Sequence, residues 1–210
     1  MLVLASASPR RRDLLSQAGF AFEILTATVN EDPRSGERPV GYVLRLAREK
    51  AEAVAASAEF KSLARRSAQQ PMLLGADTTV VAPSGEILGK PEDDADAARM
   101  LRLLAGATHQ VITGVALLVP LADIAEVAAE VTHVTMLTPS EEEIASYIAT
   151  GEPRGKAGAY AIQGRAARWI PRVHGCYFNV VGLPLALVTT MIEAAEVRLR
   201  SGVASQIVVP

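Results

Sequence analysis

The sequence predicts an α/β fold: a mixed, twisted sheet with flanking helices. Three observations predict it. Short apolar strand candidates alternate with amphipathic helical segments through the first half of the chain. Two long strand candidates, Gln110 to Val119 and Ile124 to Leu137, stand side by side with only Pro120 to Asp123 between them, which makes the sheet mixed. The chain has 210 residues, 50% of them hydrophobic, enough to bury a sizeable core. No internal repeat, low-complexity tract or long linker divides it, so residues 1–210 are expected to form a single domain.

Composition excludes several classes. Lysine and arginine number 21 against 23 acidic residues, a net charge of −2. That balance argues against a nucleic-acid or membrane-surface partner. Cys176 is the only cysteine, so no intrachain disulfide forms. No apolar run approaches the roughly 20 residues of a membrane-spanning helix. The opening run Leu2 to Ala5 is short and its charges follow rather than precede it, unlike a signal peptide. A cytoplasmic protein is expected.

Taken in order, Leu2 to Ala5 reads as a strand, and Ser8-Pro9 opens a helix that ends near Gly19. Phe20 to Leu25 reads as a strand and Thr28 to Pro39 as a polar, turn-rich loop. Val40, Leu44, Ala47, Ala51 and Val54 line one face of a helix reaching Ser57. Phe60 to Pro71 reads as a polar connector. Met72 to Ala82 is the strongest strand signal, apolar and β-branched. Ile87-Leu88 follows a Pro-Ser-Gly turn, and acidic residues from Glu92 to Asp96 lead a helix through Leu104. In the second long strand, alternation puts Val127 and Val131 on a buried face, with Glu126 and Thr132 on a wetter one. His133 is then a hydrogen-bonded core residue. Thr138-Pro139-Ser140-Glu141 has capping-box spacing, starting a helix that runs to about Thr150. Tyr160 to Gln163 and Arg168 to Val173 read as short strands, Leu183 to Arg200 as a helix, and Gln206 to Val209 as a terminal strand.

The first candidate for chemistry is Ser6 to Arg12. Three arginines at a helix start oppose the positive end of the macrodipole, each exposed cation costing roughly 0.3–1 kcal/mol. An anion held at the free N–H groups reverses that sign. A phosphate-binding turn and a solvated basic patch both remain open. Asp77 is the second candidate. It is the one charged residue of its strand and shares a face with Leu73, Gly75, Thr79 and Val81. A lone carboxylate there needs a partner, as a metal ligand, a general base or a strand-end cap. Glu31-Asp32 gains meaning as a second carboxylate joining Asp77 around a divalent cation. Gly89-Lys90 and Gly155-Lys156 fit no G-x-x-x-x-G-K-[ST] loop, so a P-loop NTPase is disfavoured. The three histidines show no zinc-ligand spacing and no G-x-S-x-G elbow occurs. What remains is cations and carboxylates, the equipment of metal-assisted phosphate chemistry.

Ser6-Ala7-Ser8-Pro9-Arg10-Arg11 resembles the opening signature of the Maf family of nucleoside triphosphate pyrophosphatases. The similarity continues in family order through Glu31, Arg45 to Ala51, Gly75 to Thr78, Lys90-Pro91, Thr113 to Val115, Gly151 to Pro153, Lys156 to Gly164 and Asn179 to Pro184. The resemblance implies two lobes around a central cleft, similar to inosine triphosphatase, and a homodimer. It implies cleavage of a nucleoside triphosphate to the monophosphate and pyrophosphate with a divalent metal (Mg, Mn or Co). Asp77 matches the family's proton acceptor. Ser6, Arg11, Glu31, Lys50 and Lys90 match positions lining the phosphate and metal site. On physical grounds Asp77 either accepts the proton of the attacking water or holds the metal that activates it, with Glu31 as a second metal-side carboxylate. Arg10, Thr78 and Gln163 match the residues of the members that act on dTTP and UTP. Gly155 departs from the aspartate common there. The rival reading is a nucleotide-binding regulator of septum formation with little turnover, which would have no need of Asp77 inside an apolar strand.

Overall fold

The structure, a computed structural model, describes residues 1–201; the strand expected at Gln206 to Val209 lies outside them. Among the described residues the strands are β1 (Leu2–Ala5), β2 (Phe22–Ile24), β3 (Met72–Val81), β4 (Ile87–Leu88), β5 (Thr108–Val119), β6 (Ile124–Thr135) and β7 (Arg172–His174). They form one mixed sheet in the order β2-β1-β3-β5-β6-β7, with β4 added on β3. β1 pairs in parallel with β2 and β3, while β4 on β3 and β7 on β6 are antiparallel. The helices are α1 (Pro9–Gln17), α2 (Pro39–Ala56), α3 (Ala58–Arg66), α4 (Asp94–Leu104), α5 (Glu141–Ala149), α6 (Tyr177–Val181) and α7 (Leu185–Ser201). The mixed α/β class is therefore as predicted. The chain divides into two compact units: Met1–Asp77, Thr113–Glu130 and residues 182–201 in one, Thr78–Ile112 and Val131–Val181 in the other.

In the first unit, Val3, Ala5, Leu73, Ala116 and Leu118 of the sheet pack with Ala47, Ala51 and Val54 of α2 and Phe60 of α3. Two glycines set how close α2 lies. A Cβ on Gly75 of β3 would fall 2.1 Å from the Ala47 carbonyl oxygen, and one on Gly114 of β5 2.3 Å from that of Val43. Only a bare backbone admits the helix at that distance. The connector expected from Phe60 to Pro71 is largely helix α3. The Ser57 hydroxyl accepts from the Phe60 N–H at 3.1 Å, and Arg65 and Arg66 suit the last turn. Phe60 anchors it, 3% exposed.

The expected faces of β6 are reversed: Val127 and Val131 are exposed, and Thr132 is fully buried. Glu126 turns inward because Arg198 of α7 meets it at 2.7 Å, both side chains well buried. In the second unit, the Thr132 hydroxyl donates to the Cys176 carbonyl and accepts from the Cys176 N–H and the Asn179 amide. Asn179 lies on α6, a helix that the sequence reading missed. With Thr132 inward, His133 of the same strand points outward, contrary to expectation, and meets Gln110 at 3.3 Å.

Helix α5 starts two residues later than expected, because Ser140 and Glu143 form their own reciprocal capping box. Tyr160 to Gln163 is not a strand. It follows a single helical turn at Ala157–Ala159, and Gly164 N–H closes a turn on the Ala161 carbonyl. Its backbone groups go to turns and side chains rather than to a ladder. Helix α4 packs on α5 and on that turn.

Candidate active site

Strand alternation and one helical turn bring the first unit's site together. Asp77 is two residues beyond Gly75 and shares its face, so its side chain points at α2. Lys50 is three residues beyond Ala47, the residue Gly75 touches, and so lies on the same side of α2 one turn further on. Its ammonium reaches Asp77 Oδ1 at 2.6 Å and Glu31 Oε1 at 2.7 Å. The site is well covered at Asp77 and Lys50, with side-chain exposures of 11% and 13%, and more open at Glu31 with 42%.

The loop carrying Glu31 is fastened to α2. The Tyr42 hydroxyl donates to the Glu31 carbonyl at 2.9 Å. Burial, together with the charges of Asp77 and Glu31, pushes the Tyr42 phenol up to about 12, so it keeps its proton and remains a donor. Arg45 donates Nε and Nη2 to the Glu37 carboxylate, both at 2.6 Å, and reaches the Asp32 carbonyl at 3.2 Å. That fork pulls Glu37 down to about 2. The sequence assigns Arg45 no role of its own beyond the resembling stretch Arg45 to Ala51; its role depends on a loop that folds back.

Arg11 lies within electrostatic reach of Asp77 and Glu31. It is 8% exposed and donates Nε to the Gly182 carbonyl at 2.8 Å, and Nη1 to Ala76 O at 2.8 Å and Ser6 Oγ at 3.1 Å. Burial pulls its guanidinium below the ordinary value, opposed by Asp77 and Glu31. The Ser6 hydroxyl also accepts from the Ser8 N–H. Ser8 is the N-cap, as expected, but its side chain makes no capping bond and no acidic residue lies in the first turn. Arg10 is half-buried, and desolvation lowers it too. Arg12 is exposed and pairs with Asp13. The first unit therefore gathers Ser6, the carboxylates of Glu31 and Asp77, the part-buried ammonium of Lys50 and the buried guanidinium of Arg11.

Thr78, Lys90 and Gln163 belong to the second unit. Lys90 and Gln163 are exposed. The Gly89 carbonyl, next to Lys90, accepts from the Gly158 N–H at 3.1 Å, which ties that loop to the one bearing Lys156. The Lys156 ammonium donates to the Glu152 carbonyl. Gly155 has φ +69 with open space where a Cβ would be. Beneath this loop, His109 is 1% exposed and its Nε2 lies 2.8 Å from the Tyr160 hydroxyl; burial lowers His109 to about 4.

The residues present suit a hard divalent cation. Glu31 and Asp77 already converge on one positive charge, and Mg²⁺ is usually held by one or two carboxylates plus substrate phosphates. Among the described residues no three His, Cys, Asp or Glu side chains gather to hold a metal by themselves.

The profile of the Maf-like protein family matches residues 1–195. The chain belongs to the Maf-like family. A dTTP/UTP pyrophosphatase of Koribacter versatilis is 50% identical over 196 residues, 93% of this chain and 95% of that one. One of Pelotomaculum thermopropionicum is 50% identical over 192 residues, covering 91% and 95%. One of Salmonella typhimurium is 50% identical over 186 residues, covering 88% and 87%. The solved Staphylococcus aureus Ham1 protein aligns with 92% of this Maf-like chain and 98% of its own at 10% identity, with a TM-score of 0.46, too low to carry an argument. Among the described residues no helix is long and apolar enough to cross a membrane.

Proposed function

We propose that this Maf-like chain is a nucleoside triphosphate pyrophosphatase that hydrolyses dTTP and UTP to the monophosphate and pyrophosphate. The observation that carries the chemistry is the buried Asp77 held by Lys50, with Glu31 on the same ammonium. Relatives half identical over most of their length bear the matching name.

Asp77 accepts the proton of the water that attacks phosphorus. Lys50 fixes one carboxylate oxygen, so the base is oriented before substrate arrives. Arg11 and Ser6 hold the turn that opens α1, whose first-turn N–H groups face an anion rather than a capping side chain. Lys90 is a point charge for the phosphates. Glu31 and Asp77 would hold a divalent metal (Mg, Mn or Co), which would supply neutralisation of phosphate charge. Arg10, Thr78 and Gln163 select the base; the Gln163 amide offers a donor and an acceptor, as a pyrimidine edge requires. The protein acts in the cytoplasm as a homodimer and needs neither nucleic acid nor membrane.

Pyrophosphate release from a nucleotide panel with each metal tests this. The expected result is preference for dTTP and UTP, with Asp77→Asn lowering turnover about 10²–10⁴-fold. Release unaffected by that substitution overturns the mechanism; a purine preference overturns the specificity. A binder without turnover, the septum-regulator reading, would release nothing from any nucleotide.

A further inference from the structure

Within the second unit, the exposed turn that carries Gln163 is gripped from both sides by polar side chains. Two residues before Gln163, the Ala161 N–H donates to the Tyr147 hydroxyl of α5 at 3.1 Å. Two residues after it, the Arg165 N–H donates to the Glu152 carboxylate, 3.0 Å to Oε1 and 3.2 Å to Oε2. The two grips are one assembly, because the Tyr147 hydroxyl donates to Glu152 Oε1 at 2.9 Å. Burial and the neighbouring carboxylate hold the Tyr147 phenol well above its ordinary value, so the donor is permanent.

Gly164 makes room for this arrangement. A Cβ there would lie 2.0 Å from Glu152 Oε1 and 2.4 Å from its Cδ. The Gly164 N–H meanwhile closes the turn onto Ala161 O at 3.0 Å. Glu152, directly at the Arg165 N–H and through Tyr147 at the Ala161 N–H, therefore holds the two main-chain amides that lie two residues either side of Gln163. We propose that Glu152, acting with Tyr147, is a positioning residue for base selection, holding residues 161–165 in one conformation so that the Gln163 amide meets the nucleotide base in one orientation. This rests on the reading of Gln163 as a base-selecting residue.

The test compares kcat and KM for UTP, dTTP, CTP and GTP across full-length variants. Gln163→Ala and Glu152→Ala should each lower the UTP-to-CTP ratio of kcat/KM about tenfold, mostly through KM, as loss of one hydrogen bond to the base implies. A role confined to folding would lower every nucleotide alike. Glu152→Gln, which keeps an acceptor oxygen, should restore part of the ratio. Gly164→Ala should lower the ratio in the natural chain but change little in the Glu152→Ala background, where no carboxylate is left to displace. If Glu152→Ala does not fold, Tyr147→Phe is held to the same ratio. A preserved ratio in the Glu152 or Tyr147 variant beside a collapsed one in Gln163→Ala overturns the positioning role alone. A preserved ratio in Gln163→Ala overturns the base-reading role and this proposal with it.

Discussion

Gly75→Ala should damage the active site from outside it. The new methyl carbon would lie 2.1 Å from the Ala47 carbonyl oxygen and 3.0 Å from the Ala51 Cβ. A helix carbonyl cannot rotate aside, so α2 must withdraw by about 1 Å to restore ordinary contact. Overpacking of this kind costs about 1–3 kcal/mol, and a main-chain obstacle puts it at the upper end. For a chain of this length about 2–3 kcal/mol lowers Tm by roughly 4–12 °C. Lys50 rides on the same helix, and its 2.6 Å contact with Asp77 has no slack to absorb such a shift. A misplacement near 1 Å can cost about 10²-fold in rate. Denaturant unfolding reads the first effect, and pyrophosphate release well below the melting midpoint reads the second. If Gly75→Ala unfolds within about 0.5 kcal/mol of the natural protein and turns over normally, the close approach of α2 is not what positions Lys50.

Three further outcomes concern titratable groups that the fold holds. Arg11→Lys replaces a fork with one nitrogen that cannot serve Gly182, Ala76 and Ser6 together, so stability should fall by about 2 kcal/mol or more in urea unfolding. The Glu37 carboxyl is held near 2 in the folded chain, below its ordinary 4.5. Its contribution is therefore present above about pH 4.5 and lost as pH falls towards 2, and the stability gap to Glu37→Gln should close over that window. His109 is held near 4, below its ordinary 6.5, so the unfolded chain takes its proton first as pH falls. Stability should drop between pH 6.5 and 4, and an unfolding titration of His109→Gln should lose that part of the slope.

Local signals carried much of the architecture. The N-terminal strand, the Pro9 helix start, the acidic opening of α4 and the long β-branched run of β3 are each decided by neighbours a few residues away. What misled was partnership at a distance. Glu126 and Thr132 read as the wet face of β6 because nothing nearby announces Arg198, Cys176 or Asn179. Tyr160 to Gln163 looked like a strand because its residue types suit one, whereas its amides are taken by turns and by Tyr147. At the site, Asp77 was conspicuous as a charge in an apolar strand. That Lys50 would hold both it and Glu31 depends on how deeply α2 sinks onto Gly75, which no local pattern displays.

The bond from Arg11 to the Gly182 carbonyl joins groups 171 positions apart, and that has a consequence for the order in which the chain matures. During synthesis the first 77 residues leave the ribosome long before residue 182 exists. Until then the Arg11 guanidinium lacks one of its acceptors, and the first unit lacks its third segment. Contacts of such separation form late and slowly. The nascent N-terminal half is therefore a waiting state, with an aliphatic strand and a charged helix start not yet reconciled, and the segment that begins at Gly182 is the one that completes it.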